Sequence, residues 1–378
     1  MPSKSKVKPT NPTAIDLFAG VGGLSLGASR AGFDVRLAVE IDKCAISSHQ
    51  QNFPTTKHLQ QDVSTFSGEK LLEEAGLSFG QLDLLIGGPP CQGFSSIGNR
   101  DIKDPRNKLF WHFFRLAKET KPKIFIAENV PGILHNQYES TVNTAIMQVV
   151  KDYEIYGPQL ITASDYGAPT TRTRVFFIGL RRDLKPSDDL WMKPISQTEY
   201  VTVGQALRGL PQKIDPNWQI EEQSWQKVHH KIDTPFFDKI VNQVPNGLGC
   251  PHALDAIKRC KVSGFLGTRH TADVVARFEK LLPGQRDNIS KSLRLDSKQF
   301  CPTLRAGTGS DKGSYQAVRP IHPTEPRVIT PREASRLQGF PDWFQFHPTK
   351  WHAFRQIGNS VSPIVAEHIL SKLFKLIS

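Results

Sequence analysis

The chain has 378 residues, of which 38% are hydrophobic and 22% charged, a balance typical of a globular protein of two or three domains. We expect neither a membrane span nor a signal peptide, because no apolar run approaches the roughly 18 residues that a span requires. Lysine and arginine outnumber aspartate and glutamate by 48 to 36, and the resulting net charge of +12 favours a polyanionic partner.

The first predicted unit is a strand, a glycine turn and a helix. Residues 1–12 are basic and contain prolines, and we predict that they form a disordered tail. Residues 13–18 read as a strand, 19–23 as a turn rich in glycine, and 24–31 as a helix. Glycines in such a turn let the backbone approach a ligand closely, although tight packing alone would also explain them.

The second strand carries an acidic residue suited to binding a ribose. This strand spans residues 35–41, and Glu40 lies about twenty residues after the glycine turn. An acidic side chain at that spacing accepts hydrogen bonds from ribose hydroxyls in nucleotide-binding folds. Asp62 follows a short third strand near Leu59. It could accept from an adenine amino group, or it could cap the helical turn that begins at Val63.

A buried strand then leads a cysteine into a stiff turn. Residues 82–86 are an apolar run too short for a helix, as expected of a strand buried on both faces. Two glycines and two prolines end the strand, and Pro90 biases Cys91 away from helical angles. We predict that Cys91 lies at the carboxyl edge of the sheet, where open α/β folds bind ligands. The alternative is an inert, buried cysteine.

The remaining strands complete an α/β fold. The fifth strand is predicted at 123–129, between helices at 109–120 and 138–150, and two last strands at 155–162 and 174–180. Sequential β and α elements with right-handed crossovers give a doubly wound, mostly parallel sheet. Strands one and four flank its switch point. The glycine turn, Cys91 and Glu128 should therefore converge on one crevice.

The pattern changes after about Asp183, where proline, tryptophan and charge become frequent. We predict a catalytic domain of residues 13–185 and 350–378, and a second, smaller and irregular domain with a return segment over 186–349. Its clearest element is a helix at 271–282 whose apolar side chains share one face, which predicts a core helix. The basic side chains near this helix are Lys258, Arg259, Lys261, Arg269, His270, Arg286, Lys291, Arg294 and Lys298. They suit contacts to DNA phosphates and bases, or else a solvated basic surface.

The cysteines do not suggest a metal site. All five are scattered, and none belongs to a Cys-x-x-Cys pair. This spacing argues against a disulfide framework or a zinc centre and favours a reducing compartment. We therefore expect no metal.

An ordered set of motifs resembles those of the DNA (cytosine-5) methyltransferases. The chain is similar to the compact bacterial members, of restriction-modification or Dcm-like type, from residue 15 to residue 376. The matching motifs, in the family's order, are Asp16-Leu-Phe-Ala-Gly-Val-Gly-Gly23, Glu40, Asp62, Gly88-Pro-Pro-Cys-Gln-Gly-Phe-Ser95, Glu128-Asn-Val130, Arg172-Thr-Arg174, Thr330-Pro-Arg-Glu333, Arg336-Leu-Gln-Gly-Phe-Pro341 and Gly358-Asn-Ser360. The most specific of them is Pro-Cys-Gln followed by Glu-Asn-Val.

The resemblance implies a Rossmann-like fold with S-adenosyl-L-methionine as cofactor and S-adenosyl-L-homocysteine as its product. Glu40 would bind the ribose and Asp62 the adenine. The other implied cofactor contacts are Phe18, Gly20, Gly22, Pro89, Leu109, Asn359 and Ser360.

The implied reaction methylates carbon 5 of a flipped-out cytosine in a short DNA sequence. Cys91 would add to carbon 6 as a thiolate and make carbon 5 nucleophilic. Glu128, if protonated, would donate to ring nitrogen 3, although it could instead be an ordinary ion-pair partner. Arg172 and Arg174 are candidates for the cation that favours the thiolate and for binding the 2-oxo group. Residues 95–106 would be a loop that closes over the DNA, or a static surface loop.

One position departs from the family pattern. The family often places glutamine two residues before the first arginine of the Arg-x-Arg pair, whereas this chain has Thr170. A hydroxyl cannot span the reach of an amide, so the hydrogen bonds of that glutamine cannot be assumed here.

The resemblance also implies the partners and the setting. We expect a monomer that binds double-stranded DNA and no membrane, in the bacterial cytoplasm and on the nucleoid while acting, with a companion restriction endonuclease as an option. The alternatives are a tRNA cytosine-5 methyltransferase and a catalytically silent DNA-binding module. A long basic segment between Arg174 and Arg327 favours DNA, and the intact Cys91 and Glu128 argue against a silent module.

Overall fold

A computed structural model describes residues 11–90, 107–185, 190–196, 199–229, 231–306 and 319–377. Three predicted features lie outside these ranges: nearly all of the basic tail, Cys91, and the loop at 95–106. Within the ranges, no helix is both long and apolar enough to cross a membrane.

Seven strands of the described chain form one mixed sheet in the order β3-β2-β1-β4-β5-β7-β6. They are β1 Thr13–Leu17, β2 Asp34–Val39, β3 Lys57–Leu59, β4 Leu84–Gly87, β5 Ile124–Asn129, β6 Tyr153–Thr162 and β7 Thr173–Arg181. Strands β3, β2, β1, β4 and β5 are parallel, whereas β7 is antiparallel to both of its neighbours. The strand order reverses between β1 and β4, which makes this pair the switch point. The predicted α/β fold with a doubly wound, mostly parallel sheet is confirmed.

Helices cover both faces of this sheet. The α-helices of the described residues are α1 Gly23–Ala31, α2 Lys43–Asn52, α3 Gly68–Glu74, α4 Asn107–Thr120, α5 Glu139–Ile146, α6 Val203–Leu207, α7 Pro251–Lys258, α8 Ala272–Glu279, α9 Pro331–Leu337, α10 Lys350–Asn359 and α11 Pro363–Phe374. Leu84 and Ile124 point into the core that α1 and α11 cover, whereas Leu85 and Phe125 point towards α3, α4 and α5. Every residue of β4 and β5 is buried, because a parallel strand covered on both faces has no solvent side.

The C-terminal helix α11 packs closely against α1. Gly27 of α1 makes this approach possible, since a Cβ atom added there would overlap the side chain of Ala366. Arg30 also lies 3.6 Å from Glu367 of α11. The last helix therefore belongs to the same layer as the first.

Between residues 190 and 349, the described part of the chain contains little regular structure, and buried arginines stabilise much of it. Two short strands, β8 Gln226–Lys227 and β9 Lys261–Val262, form a separate antiparallel pair. Arg336 of α9 is fully buried and makes two charge-assisted hydrogen bonds, of 2.8 and 2.6 Å, to the buried carboxylate of Asp342. It also donates to the backbone carbonyls of Ala206 and Arg208. Such a residue fixes an irregular backbone, because losing it would leave several buried acceptors unpaired.

Two expectations for this region were wrong. Helix α8 is not a core helix: among its residues only Phe278 is buried, and nearby Leu282 is 64% exposed. An amphipathic pattern shows which face of a helix is apolar, but not whether another element covers that face. Arg294 is buried rather than a surface contact, and donates to the carbonyls of Phe278, Leu281, Pro323 and Thr324.

Candidate active site

The carboxyl ends of β1, β4 and β5 bring the predicted site residues to one edge of the sheet. Leu17 is in register with Gly87, and Gly87 with Ala127, so the residues that follow them lie at the same level near this edge of the sheet. Those residues are Phe18, Gly88 and Glu128. A Cβ atom on Gly88 would lie 3.0 Å from Oε2 of Glu128, and glycine therefore lets these two strand ends approach closely.

The glycine turn after β1 is fixed by Glu40. The backbone N–H of Gly20 donates to Glu40 Oε2 at 2.9 Å, and the N–H of Asp42 donates to Oε1 at 2.8 Å. Gly20 has a φ of +57° and open space where a side chain would project, as expected of backbone that faces a ligand. Gly22 is needed for a different reason, since a Cβ atom there would meet the ring of Phe53 at 2.5 Å.

Glu40 is half-buried, and two opposing influences act on the pKa of its carboxyl group. Burial raises the pKa of Glu40 above its ordinary range, while the N–H groups of Asp42 and Gly20 act in the opposite direction. Spacing in the sequence predicted a carboxylate here but did not indicate that it holds the turn. Each carboxylate oxygen retains a lone pair, so this arrangement leaves room for a ribose hydroxyl.

The neighbouring residues offer an apolar surface and a second carboxylate. Asp62 Oδ1 accepts from the N–H of Ser64 at 2.8 Å, so Asp62 caps the helical turn at Val63. The second oxygen of the same carboxylate is not used by this cap. Leu109 is half-buried in the first turn of α4. Ile41, which the sequence analysis missed, is 64% exposed directly after Glu40. The sequence did contain a signal for it, namely an apolar residue directly after an acidic residue at the end of a strand.

The segment after α10 closes against the glycine turn. A Cβ atom on Gly23 would overlap the carbonyl oxygen of Val361, so the two backbones lie in direct contact. Ser360 is buried, and its hydroxyl donates to the carbonyl of Gln356 at 2.7 Å. The side chain of Asn359 is exposed. The segment that contains Asn359 and Ser360 therefore runs next to the turn, with the Asn359 side chain facing outward.

Glu128 and the two predicted arginines meet on the other side of the crevice. Arg174 Nε lies 2.8 Å from Glu128 Oε1. Burial raises the pKa of Glu128, and the positive charges of Arg174 and Arg172 oppose this shift. Arg172 is 3% exposed and donates to the carbonyl of Leu304 at 3.3 Å, while its Nε is buried without a hydrogen-bond partner among the described residues.

Thr170, the departure from the family pattern, is fully buried. Its hydroxyl makes no hydrogen bond within the described part of the chain. The backbone around it pairs with Cys301: Cys301 N–H donates to the carbonyl of Pro169, and Thr171 N–H donates to that of Cys301, both at 2.9 Å. The threonine thus occupies a packed position where the irregular region joins the sheet.

The position of Cys91 is not described, but the turn that leads to it is. Asn129, which follows Glu128, has its amide nitrogen 3.5 Å from the carbonyl oxygen of Pro89. The amide oxygen of Asn129 accepts from the N–H of Val130 at 2.8 Å. The turn after β4 is therefore connected to the end of β5, where Glu128 lies.

Comparison with known proteins decides the family. Residues 13–375 match the family model described as C-5 cytosine-specific DNA methylase. The chain belongs to this family. The resemblance inferred from the motifs and the expected enzyme class, a DNA (cytosine-5) methyltransferase, are thereby confirmed.

Named relatives agree with this assignment. This methyltransferase is 39% identical to the type II methyltransferase M.XorII of Xanthomonas oryzae pv. oryzae, over 97% of the chain and 85% of the relative. It is 32% identical to M.DdeI of Desulfomicrobium norvegicum, over 95% of the chain and 88% of that protein. Both relatives are named as type II methyltransferases.

Solved structures support the fold. A protein encoded within an Escherichia coli prophage and proposed to be a DNA modification methyltransferase is 49% identical, with a TM-score of 0.87 and coverage of 97% of this chain and 99% of that one. The Dnmt2 methyltransferase of S. pombe is 17% identical with a TM-score of 0.61, over 96% of this chain and 98% of that one. The second likeness shows the fold alone.

A buried polar chain lies beneath the glycine turn of the methyltransferase, and the sequence analysis missed it. Ser25 Oγ donates to Asp16 Oδ2 at 2.6 Å, and His49 Nε2 lies 3.0 Å from the same hydroxyl. His49 Nδ1 lies 2.9 Å from Nε2 of the partly buried His58. Burial lowers the pKa of His49 well below its ordinary value and that of His58 to about 4, so both rings are neutral at pH 7.

Asp16 is the acidic end of this chain. Burial raises the pKa of Asp16 to about 7, a shift that the Ser25 hydrogen bond reduces and the charge of Glu40 increases. In the unfolded chain the same carboxyl group titrates near its ordinary value of about 4. Between these values the folded protein holds the proton and the unfolded chain does not. The resulting stabilisation is complete below pH 4 and is lost as the pH rises through 7.

We therefore expect Asp16→Asn to become more stable relative to wild type as the pH rises. Between pH 5 and pH 8 the difference in the free energy of unfolding should move in favour of the variant by about 3 kcal/mol, because only wild type must ionise a buried group. Urea unfolding at both pH values measures this. Asp34→Asn, at a half-exposed aspartate, is measured alongside as the matched control. A pH-independent difference for Asp16→Asn would mean that Asp16 is ionised throughout.

Proposed function

We propose that this enzyme transfers a methyl group from S-adenosyl-L-methionine to carbon 5 of a cytosine flipped out of duplex DNA, through a covalent adduct of Cys91 at carbon 6. One observation carries the proposal. The glycine turn held by Glu40 and the ion pair of Glu128 with Arg174 lie at the same sheet edge, on either side of the strand that leads to Cys91.

The residues at the β1 end of the crevice fit the methyl donor. The open space at Gly20 and the exposed Ile41 would receive the adenosyl part, with Glu40 on the ribose and Asp62 on the adenine. The other proposed contacts are Phe18, Gly22, Pro89, Leu109, Asn359 and Ser360. When bound, the donor supplies a methyl group on a positively charged sulfur, which an electron-rich carbon can attack.

The residues at the β5 end fit the cytosine. Addition of the Cys91 thiolate to carbon 6 places negative charge on the ring, which a proton at nitrogen 3 neutralises. Glu128 could donate this proton, because burial favours its neutral form. Arg174 now pairs with Glu128. If the Arg174 side chain moved from Glu128 to the 2-oxo group of the cytosine, its charge would no longer oppose protonation of Glu128. The buried Arg172 would keep the site electropositive.

The remaining regions would serve DNA recognition. We assign catalysis to residues 13–185 and 350–378 and recognition to the irregular region at 186–349. Exposed basic side chains of this region include Lys258, Arg259, Lys261, Arg269, Arg286, Lys291 and Lys298. Lysine and arginine on a surface supply the phosphate contacts that position a protein on DNA. We still expect that the enzyme is a monomer, with a companion restriction endonuclease as an option.

DNA that carries 5-fluorocytosine at the target position tests the role of Cys91. In the normal reaction a base removes the proton on carbon 5 after methyl transfer, the ring double bond forms again and the thiolate leaves carbon 6. Fluorine on carbon 5 cannot leave in this way, so wild type with S-adenosyl-L-methionine should form an adduct that survives denaturing electrophoresis. Cys91→Ala should form none. Cys260→Ala, at an exposed cysteine, should behave like wild type. An adduct with Cys91→Ala, or its absence with wild type, would contradict the proposed mechanism.

Glu128→Gln tests the proposed proton donor. The amide has the same shape and can hydrogen-bond to cytosine, but it has no acidic proton to give. We expect kcat to fall by about 10²–10⁴-fold while the affinities for DNA and the methyl donor change little. Glu139→Gln, at an exposed position in α5, is the matched control. A kcat for Glu128→Gln equal to that of the control would exclude Glu128 as the donor.

A further inference from the structure

A cysteine and two histidines meet on the surface next to the start of α2. Cys44, His347 and His352 each offer one ligand atom, and the three atoms lie within 4.8 Å of one another. All three residues are half-buried. None of them belongs to the crevice described above, and no role in methyl transfer requires them.

One glutamine ties two of these residues into place. The side chain of Gln356, in α10, donates to the carbonyl of Cys44 at 2.9 Å and accepts from the N–H of His347 at 2.9 Å. Asp42 caps α2 by accepting from the N–H groups of Cys44 and Ala45. The backbone that carries the cluster is therefore fixed by hydrogen bonds before any ligand arrives.

We propose that Cys44, His347 and His352 form a binding site for a single transition-metal ion of the zinc type. Thiolate and imidazole together favour Zn²⁺ and its chemical neighbours over Mg²⁺ or Ca²⁺, which prefer oxygen ligands. Three protein ligands leave one position of a tetrahedral ion for water. The Asp42 carboxylate is already engaged by the helix cap and by Arg355, whose Nη1 lies 3.2 Å from Asp42 Oδ2.

The ring of His347 indicates which nitrogen would bind the ion. Its Nδ1 lies 3.0 Å from the hydroxyl of Thr349 and 3.1 Å from the N–H of the same residue. In this structure Nδ1 accepts from the Thr349 N–H. Metal binding at Nε2 would move the ring proton to Nδ1, which would then give up that bond and donate to the Thr349 hydroxyl instead. A hydrogen bond of this kind orients a metal-binding histidine. Thr349 would thus be a positioning residue for the site.

The site would connect two segments that flank the cofactor end of the crevice. Helix α2 begins directly after Glu40 and Asp42, and α10 leads to Asn359 and Ser360. A bound ion would join the beginning of α2 to the beginning of α10. Because it would bind the folded state and not the unfolded chain, it should raise the melting temperature. The spacing of the cysteines in the sequence argued against a metal site. It could not reveal this cluster, because Cys44 lies some 300 residues from the two histidines.

Co²⁺ titration of the full-length protein, stripped of metal by a chelator, tests the proposal. Wild type should bind one Co²⁺ with the absorption band of a cobalt thiolate, and Zn²⁺ should displace it. Cys44→Ser should lose the band and bind Zn²⁺ at least about 100-fold more weakly, since it lacks the thiolate. His352→Ala should also weaken binding. Thr349→Val should do so by about 10-fold, as expected of a residue that orients a ligand.

Two other cysteines provide the controls. Cys260→Ser, at an exposed thiol, and Cys91→Ala should bind Co²⁺ and Zn²⁺ as wild type does. Zn²⁺ should raise the melting temperature of wild type and of both controls, but not that of Cys44→Ser. Failure of wild type to bind Co²⁺, an unchanged cobalt band in Cys44→Ser, or loss of binding in either control would overturn the proposal. None of these results depends on methyl transfer, so they leave the proposed function to its own tests.

Discussion

The parallel pairing of β1, β4 and β5 is the constraint on which the site depends. Its register places Leu17, Gly87 and Ala127 at one level, so three chain segments leave the sheet side by side. The first leads into the glycine turn, the second leads towards Cys91, and the third carries Glu128 next to its last residue. A slip of one residue would turn Glu128 to the opposite face. The buried apolar residues of β4 and β5 fix the register, and packing thereby positions the chemistry.

Burial of charge gives the site its electrostatic character. Glu40 and Glu128 both lie in surroundings that favour the neutral carboxyl group, yet each is bound by groups that favour the charged form. At Glu40 these groups are backbone N–H donors, whose positions are fixed by the turn itself. At Glu128 one of them is a side chain, that of Arg174, whose Nε lies 2.8 Å from Glu128 Oε1. The first carboxylate is thus bound by the backbone of its own turn, whereas the second is bound by a side chain from another strand, an arrangement that the proposed mechanism uses.

The order of elements, the switch point and the glycine turn could be predicted, because each leaves a local pattern of apolar residues, glycines and prolines. The pairing of Glu128 with Arg174 and the chain from Asp16 to His58 could not, since their partners lie on different elements. Arg294 shows the same limit: its burial depends on carbonyls that the fold brings to it. Helix α8 was misjudged because amphipathicity does not reveal what covers a face.

The identity of the methylated atom tests the central claim most directly. Purified protein would be incubated with duplex DNA and S-adenosyl-L-methionine labelled in its methyl group, and the nucleosides released from the DNA would be analysed by mass spectrometry. We predict that the label is found in 5-methyldeoxycytidine. Label on the exocyclic nitrogen of cytosine or adenine would contradict the account, as would label in tRNA but none in duplex DNA.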